Sequence, residues 1–431
     1  MNLQKYSAYK DSGVDWLGEV PEHWEVKSNK FIFKIKKNQV GKNSEKYVLL
    51  SLTLNGIIKR DMENPQGKFP AEFNTYQEVE KGDFIFCLFD VEETPRTIGL
   101  SEYDGMITGA YTVMKPETDF NKKFLYYFYL NLDSDKRMKP LYTGLRNTIA
   151  KDAFLSFKTF LPPLPEQTAI AAFLDRKTAL IDQAIGIKQK QIELLKERRQ
   201  IIIHPAVTRG LEPTVKMKDS GVEWIGEVPE VWEVKKVKYL FRLIGGGTPS
   251  KERKDYWGGD IPWVSPKDMK TDYIVTTEDY VTNKGLINSS SNLIESNTLL
   301  MVVRSGILQR TIPVAISKVG LTINQDMKAF VPNGLLSTEY FFYYVKGNDI
   351  YLKNDWVKQG ATVESVEAEL LRNSIVPIPP IEEQIKIVNM IVTTSQKTST
   401  AIALKQQEIE KLKEYKATLI NSAVTGKIKV N

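Results

Sequence analysis

Cysteine is almost missing from this chain of 431 residues. Cys87, inside the run FIFCLFD, is the single one. No disulfide can form within the chain, so a reducing compartment is expected. The apolar run around Cys87 reads as a strand with a small buried hydrophobe, not as a nucleophile's setting. Histidine is nearly as scarce. His23 and His204 stand far apart, and no group of His, Cys, Asp and Glu has metal-ligand spacing, so no metal site is assigned. No run of about 18 apolar residues occurs, which argues against a spanning helix. The N-terminus, MNLQKYSAYKDSG, lacks an apolar signal core, and a cytoplasmic location is expected.

Catalytic signatures are missing too. There is no G-x-G-x-x-G, and GGGTPS is not followed by the Gly-Lys-Ser/Thr of a phosphate-binding loop. No G-x-S-x-G elbow occurs. LPPL and IPPI lack the polar head and aromatic tail of an amino-methyltransferase tetrapeptide. Glu25-x-Lys27 and Glu233-x-Lys235 are too short to define a nuclease centre without a positioned Asp. The chain is therefore read as a binder and not an enzyme, with no catalytic residues and no cofactor of its own.

What is present is duplication. KDSGVDWLGEVPEHWEVK begins at Lys10 and KDSGVEWIGEVPEVWEVK at Lys218, an offset of 208 residues, and 15 of the 18 positions are identical. Further on, LPPLPEQTAI answers IPPIEEQIKI and KQKQIELLKE answers KQQEIEKLKE, at an offset of 217. Between these matched pieces lie interiors that barely match. Solenoid repeats run to about 20–50 residues, so this is a duplication of whole modules. A shared frame with dissimilar contents is what two separate specificities require.

The matched C-terminal piece of each copy has helical periodicity. Ile170, Leu174, Ile181, Ile185, Ile192, Leu195 and Ile202 recur at spacings of three, four and seven, like a coiled-coil seam. The second copy repeats it with Ile387, Ile391, Ile402, Ile409, Leu412 and Leu419, interrupted by Thr398. Pro165 suits a helix start, and Pro205 is expected to end the first helix. Each helix of roughly 40 residues spans about 60 Å. The nearest partner for its stripe is its own copy, and an antiparallel pair is favoured over each helix packing only on its own module. Gly186 lies near the middle of the first helix.

The interiors carry strand-like runs (YVLLSLTL, DFIFCLF, NTLLMVVRSG, VGLTIN) and short helical ones (FLYYFYLNL, TEYFFYYVKG). WEVK and the residues after it read as a turn followed by one strand. Trp16, Trp24, Trp224 and Trp232 read as packing residues. The fold class is α+β: two mixed α/β modules and two long helices. The expected boundaries are 1–162, 163–206 for the first helix, 207–378, and 379–431 for the second helix and tail.

The formal net charge is +6, which is compatible with a polyanionic partner. Loops rich in glycine, bases and hydroxyls suit phosphate contact, and Arg and Gln side chains suit base edges. In the second module these are Thr248, Ser250, Lys251 and Lys267 in GGGTPSKERKDYWGGDIPWVSPKDMK, Arg304 in VVRSG, Gln325 in TINQDMK, and Lys358, Gln359 and Thr362 in WVKQGATVES. In the first they are Arg96 in ETPRTIG, and Arg146, Asn147 and Lys151 in GLRNTIAKD.

Taken together, the repeated GEVPEHWEV-type segment, GGGTPSKERKDYWGGDIPWVSPKDM and LPPLPEQTAIAAFLDRKTALID resemble the specificity subunit of type I restriction–modification enzymes. The resemblance covers the chain in order: target recognition domain, conserved helix, second target recognition domain, second conserved helix. It implies a restriction-system protein that binds double-stranded DNA at a bipartite, asymmetric site, one half per recognition domain. It also implies that the helices form an antiparallel coiled coil setting the spacer, with pseudo-twofold symmetry. Two modification subunits carrying S-adenosylmethionine would dock on it, and restriction subunits using ATP and Mg would join. The alternatives are a stand-alone nuclease fused to recognition modules, or a coiled-coil protein scaffold.

Overall fold

A computed structural model of the chain describes residues 4–62, 73–358 and 363–430. The architecture is mixed α/β, and the chain divides into two compact units, Met1–Lys188 with Gln406–Asn431, and Gln189–Lys405. No helix among the described residues is long and apolar enough to cross a membrane.

The first unit is built on an antiparallel sheet in the order Phe33–Ile35, Thr112–Pro116, Phe84–Phe86, Ile98–Leu100. Phe33, Phe84, Phe86 and Met114 are buried against the helix Lys122–Ser134, which supplies Phe124, Phe128, Tyr129 and Leu132 to the same core. That helix begins at Asn121, whose side chain accepts from the backbone N–H groups of Lys123 and Phe124 and so satisfies donors a helix start leaves orphaned. The second unit repeats the plan with a wider sheet: Phe241–Gly245, Met327–Pro332, Leu299–Val302, Val314–Ser317, Tyr273–Ile274, the last pair being parallel. Its helix Thr338–Gly347 starts at Ser337 and buries Tyr340, Phe341 and Tyr344. Both short helices fall where the aromatic runs predict them.

Backbone details show that the divergent interiors still correspond. Each central strand is entered through a residue with positive φ, Gly82 at 92° and Asn297 at 62°. Each donates its N–H to a serine carbonyl at 2.7 Å, Ser101 and Ser317 respectively. Asparagine tolerates this left-handed conformation better than most residues. An aspartate at the end of the short helix corresponds as well: Asp133, in the last turn of the first, accepts from the N–H of Thr97, and Asp349, just beyond the second, accepts from the N–H of Ile312.

The near-identical segments are the joints between module and helix. Trp24 is fully buried and donates its indole N–H to Glu166 at 3.1 Å; Trp232 does the same to Glu383 at 2.9 Å. Gln167 accepts from the Asn121 N–H and donates to the Pro162 carbonyl. Gln384 accepts from the Ser337 N–H and donates to the Pro379 carbonyl. The repeated Pro-Glu-Gln and Glu-Glu-Gln triplets thus fasten the long helix to the tryptophan and to the start of the short helix. Buried polar groups must be paired, and changing either partner would orphan the other. Gly210, after the first long helix, closes on Pro229 and Trp232, and Gly426, after the second, closes on Pro21 and Trp24. Both glycines have positive φ, and an added Cβ at Gly426 would lie 2.3 Å from Pro21.

WEVK and its continuation form two strands, not one. Glu25–Ser28 pairs with Lys158–Leu161, and Phe33–Ile35 enters the main sheet. The break at Asn29–Phe31 has a polar cause: Asn29 is buried, donates its N–H to the Phe157 carbonyl, and accepts from Thr159 Oγ1 at 2.8 Å. Glu233–Lys236 and Phe241–Gly245 are split at Val237–Tyr239, where the buried, apolar Val237 keeps the backbone bond alone, its N–H donating to the Ser374 carbonyl at 3.0 Å.

The long helices are Leu164–Arg209 and Ile381–Val424. Pro205 does not end the first one, contrary to expectation. The helix runs on because Ala206 and Val207 are buried in the second unit's core and the Tyr340 hydroxyl donates to the Val207 carbonyl. Tertiary burial outweighs the hydrogen bond that proline removes. Gly186 does not interrupt the helix either. The seam residues are all buried or half-buried. In the first unit, Ile170, Leu174 and Ile181 share a core with Leu419, Ile420 and Val424, and Ile185 and Leu412 pack against it. Lys188 pairs with Glu408 at 2.7 Å and Asp182 with Lys416 at 2.6 Å. Residue numbers rise on one helix as they fall on the other, so within this unit the segments run in opposite directions. In the second unit, Ile203, Ala206 and Val207 share a core with Ile387 and Ile391. Within each unit, an end of each long helix thus shares the module's core with an end of the other. Thr398, at the break in the second stripe, is half-buried and donates its hydroxyl to the Thr394 carbonyl.

Candidate nucleic-acid interface

In each unit the central strand leaves the sheet and meets a small hairpin. In the second unit the strand Leu299–Val302 runs into Val303 and Arg304. The hairpin of Val357–Lys358 and Ser365–Val366 is fixed there by three contacts: Val366 N–H to the Val303 carbonyl at 2.8 Å, Ser305 N–H to the Glu364 carbonyl at 3.1 Å, and an antiparallel bridge between Arg304 and Ser365. Lys358 pairs with Ser365 across the hairpin. Arg304 and Lys358 therefore flank one residue. The turn at Gln325–Asp326 joins them, because the Asp326 carbonyl accepts from the N–H groups of Val303 and Arg304. Thr248 completes the group by donating its hydroxyl to the Gln325 side chain.

Four expected contact residues, far apart in sequence, thus meet on one rim: Thr248, Arg304, Gln325 and Lys358. Arg304 and Gln325 are exposed. Lys358 lies 3.4 Å from Glu367. Ser250 and Lys251 are exposed in the loop leading from Thr248. Gln359 and Thr362 lie outside the described residues. Lys267 lies between Asp279 at 2.9 Å and Glu278 at 3.0 Å, and these hydrogen-bonded carboxylates hold its ammonium well above the usual lysine range. The glycines of GGGTPS serve the fold. A Cβ on Gly246 would stand 2.1 Å from the Ile323 carbonyl oxygen, and one on Gly247 would stand 2.3 Å from Ser290 Oγ. The close approach expected toward a phosphate is made to the chain's own backbone.

In the first unit, the strand Phe84–Phe86 leads to Phe89 and Asp90 at the place of Arg304 and Ser305. The hairpin of Tyr142–Thr143 and Thr148–Ile149 docks there through Ile149 N–H to the Leu88 carbonyl and Asp90 N–H to the Arg146 carbonyl, both 2.8 Å. Arg146 returns the contact by donating Nε–H at 2.9 Å, and a second N–H, to the Asp90 carboxylate. The hydrogen-bonded Arg146 guanidinium holds the Asp90 carboxyl below the usual carboxylate range. The guanidinium also lies 5.5 Å from the centre of the Phe89 ring, which stacks on Tyr111. Asn147, with φ of 43°, donates to Glu93 at 3.0 Å. Leu145 at the hairpin tip is fully exposed, and Lys151 is exposed at the start of the following helix.

Arg146 and Asn147 are thus brought together, but each already has an acidic partner. Arg96 is not with them. Its Nε lies 3.9 Å from the buried Asp133, which also takes Lys136 at 2.9 Å, so Arg96 balances a buried carboxylate. The acids Asp90, Glu93 and Asp133 were missed in the sequence. The run DVEE signalled a negative loop, but nothing signalled which bases it would meet.

Residues 229–414 match the family model described as the type I restriction modification DNA specificity domain. The EcoR124I/EcoR124II specificity subunit of Escherichia coli is 32% identical over 258 residues, covering 58% of this chain and 57% of that protein. The MjaIX specificity subunit of Methanocaldococcus jannaschii is 36% identical over 172 residues, covering 39% and 38%. These two alignments span between about a third and three fifths of the relatives' own length. The putative MjaX specificity subunit of the same organism is 25% identical over 96% of both chains. Among solved structures, a chain from a type I R-M system studied for its complex assembly and conformational transition has a TM-score of 0.70 at 14% identity, covering 94% of this chain and 98% of its own. The HsdS subunit of Thermoanaerobacter tengcongensis has a TM-score of 0.52 at 15% identity, covering 95% and 98%. At these identities the structures establish the fold alone.

Proposed function

We propose that this chain, a relative of the specificity subunits of type I restriction enzymes, is itself the sequence-reading subunit of such a system. It binds double-stranded DNA and leaves chemistry to its partners. The observation that carries the reading is the contrast between identical joints and dissimilar rims. The Trp–Glu and Gln clasps repeat almost atom for atom, while the residues at the strand exits do not: Arg304, Gln325 and Lys358 in one unit, Phe89, Asp90 and Arg146 in the other. Each unit accordingly reads one half of a split, asymmetric site.

On the second rim, Arg304 reads a guanine edge and Gln325 an adenine edge, and Lys358, Lys251 and Ser250 take phosphate. On the first, Arg146 pairs with Asp90 through Nε and one terminal nitrogen and serves DNA with the other, and the exposed Lys151 takes phosphate. The paired long helices set the distance between half-sites and receive two modification subunits. Those subunits carry S-adenosylmethionine, and restriction subunits with ATP and Mg complete the enzyme in the cytoplasm.

Replacing residues 28–160 with the matching part of another specificity subunit tests the reading. One half of the methylated motif should change and the other should stay. Deleting seven residues from each long helix should shorten the gap by roughly three base pairs, since a heptad is about 10 Å long. A motif that changes as a whole on the module exchange would overturn the division of labour.

A further inference from the structure

The aspartate that ends the short helix is neutralised in one unit and left without a cation in the other. In the first unit, the buried Asp133 takes the N–H of Thr97 at 2.9 Å, Lys136 at 2.9 Å and the Arg96 Nε at 3.9 Å. In the second, the half-buried Asp349 takes the N–H of Ile312 at 2.6 Å and the Thr311 hydroxyl. Among the described residues no basic side chain forms an ion pair with it. The residue before the bonded N–H is Arg96 in the first unit and Thr311 in the second. Three residues beyond the aspartate, Lys136 is answered by the buried Leu352. Both cations are thus missing from the second copy, and a carboxylate withdrawn from water without a counter-charge is destabilising.

In their place the second unit has a cleft of about 760 Å³. Thr311 and Asp349 line it, and Ile307, Ile312, Pro313 and Ile350 give it apolar walls. Its lysines are engaged with other acids: Lys346 with Asp272, Lys267 with Asp279 and Glu278, and Lys270 with Glu278 at 3.5 Å. Lys353, the other lysine felt by Asp349, donates to the Gln309 carbonyl at 3.0 Å. Arg310, next to Thr311, is exposed and forms no ion pair with Asp349.

We propose that this cleft is a binding site for a guanidinium carried on a short aliphatic stem, the head paired with the Asp349 carboxylate and the stem against the isoleucines. The first copy supplies the pattern, since Arg96 brings such a group to Asp133 from within the chain. A guanidinium is always charged and is more weakly hydrated than an ammonium, which suits a half-buried carboxylate. An anion would be repelled by Asp349, and an apolar molecule would leave the carboxylate unpaired. The head comes from a free small molecule or from an arginine of a partner protein, and the chemistry is the same in both. Ser305 also lines the cleft, and its N–H donates to the Glu364 carbonyl of the rim hairpin. An occupant therefore sits against the backbone that fixes the rim, although the inference itself needs no nucleic acid.

The test titrates the purified full chain with butylguanidinium and with N-butylurea, which have like shapes but differ in charge. Calorimetry should show the first binding at one site and the second not at all, and butylguanidinium should raise the thermal midpoint. Asp349→Asn should weaken binding about tenfold or more. Thr311→Arg builds the first copy's arrangement into the second, so it should abolish binding and raise the midpoint without any ligand. No binding of butylguanidinium, equal binding of the two probes, unchanged affinity in Asp349→Asn or full binding in Thr311→Arg overturns the proposal. Binding seen only in Arg310→Ala overturns it too, because the chain would then fill its own cleft. Repeating the titration with the modification subunit bound separates the two sources. Binding lost there assigns the cleft to an arginine of that subunit, and binding retained assigns it to a free molecule. Adenine methylation reports the proposed function separately and does not depend on any of these outcomes.

Discussion

The strand exits at Phe89 and Arg304 hold the same place in two copies of one frame and lead into opposite chemistry. At the first, Asp90 and Glu93 occupy Arg146 and Asn147, and two rings stack beneath the guanidinium. At the second, Arg304 is exposed, and the turn beside it presents Gln325 and a threonine. The hairpin that meets each exit is fixed by backbone hydrogen bonds, which any side chain permits. A loop held by its backbone can change its side chains without losing its place. A joint such as Trp24–Glu166 cannot, because its side chains are the bond. The duplicated chain thus divides into residues that the fold fixes and residues that it frees.

The joints should break most severely and equally. Trp24→Ala and Trp232→Ala should each cost about 3–5 kcal/mol, read by chemical unfolding, and a large inequality would mean that the frames are not equivalent. Lys36→Met should affect the first unit alone. Lys36 pairs at 3.0 Å with the buried Asp83, and removing it strands a carboxylate at a cost of about 3 kcal/mol. The second unit has Ile244 at the corresponding place, where Ile244→Met should cost less than about 1.5 kcal/mol.

The duplicated aspartate sharpens the comparison in another way. Burial raises the Asp349 carboxyl above its ordinary value, only partly offset by the Ile312 N–H. A raised acid favours the protonated folded state, so its ionisation costs stability as pH climbs from the unfolded value through the folded one. Asp349→Asn should remove that slope and gain on wild type as pH rises from acid to neutral, read as the denaturation midpoint at each pH. Asp133→Asn should instead destabilise the first unit, because Arg96 and Lys136 would lose their partner. The smallest effect belongs to Gly186. An added Cβ there meets nothing within 4 Å, so Gly186→Ala should stabilise the helix by up to about 1 kcal/mol, measured as a rise in thermal midpoint.

Much of this was legible before the structure. The seam Ile170–Leu174–Ile181 and its copy were readable because heptad spacing encodes a face directly. The aromatic runs gave the short helices for the same reason. Pro205 misled because a local rule cannot see that Ala206 and Val207 lie in another core. The break at Asn29 was hidden because it depends on Phe157 and Thr159, more than a hundred residues away. The rim was half legible. Composition pointed to Arg304, Gln325 and Lys358, but their meeting depends on Ser365 and Asp326. Arg96 and Lys267 looked equally suitable in sequence, but Arg96 lies against the buried Asp133 and Lys267 between Glu278 and Asp279, partners that no local pattern foretold.

The most direct measurement is a map of methylated adenines in cells carrying the chain with its modification partner, for the wild type, Arg304→Ala and Arg146→Ala. The account predicts one gapped motif with unlike halves. Arg304→Ala should relax a position in one half and Arg146→Ala a position in the other, each by about 1–3 kcal/mol of discrimination. An ungapped motif, or one in which both substitutions loosen the same half, would contradict it.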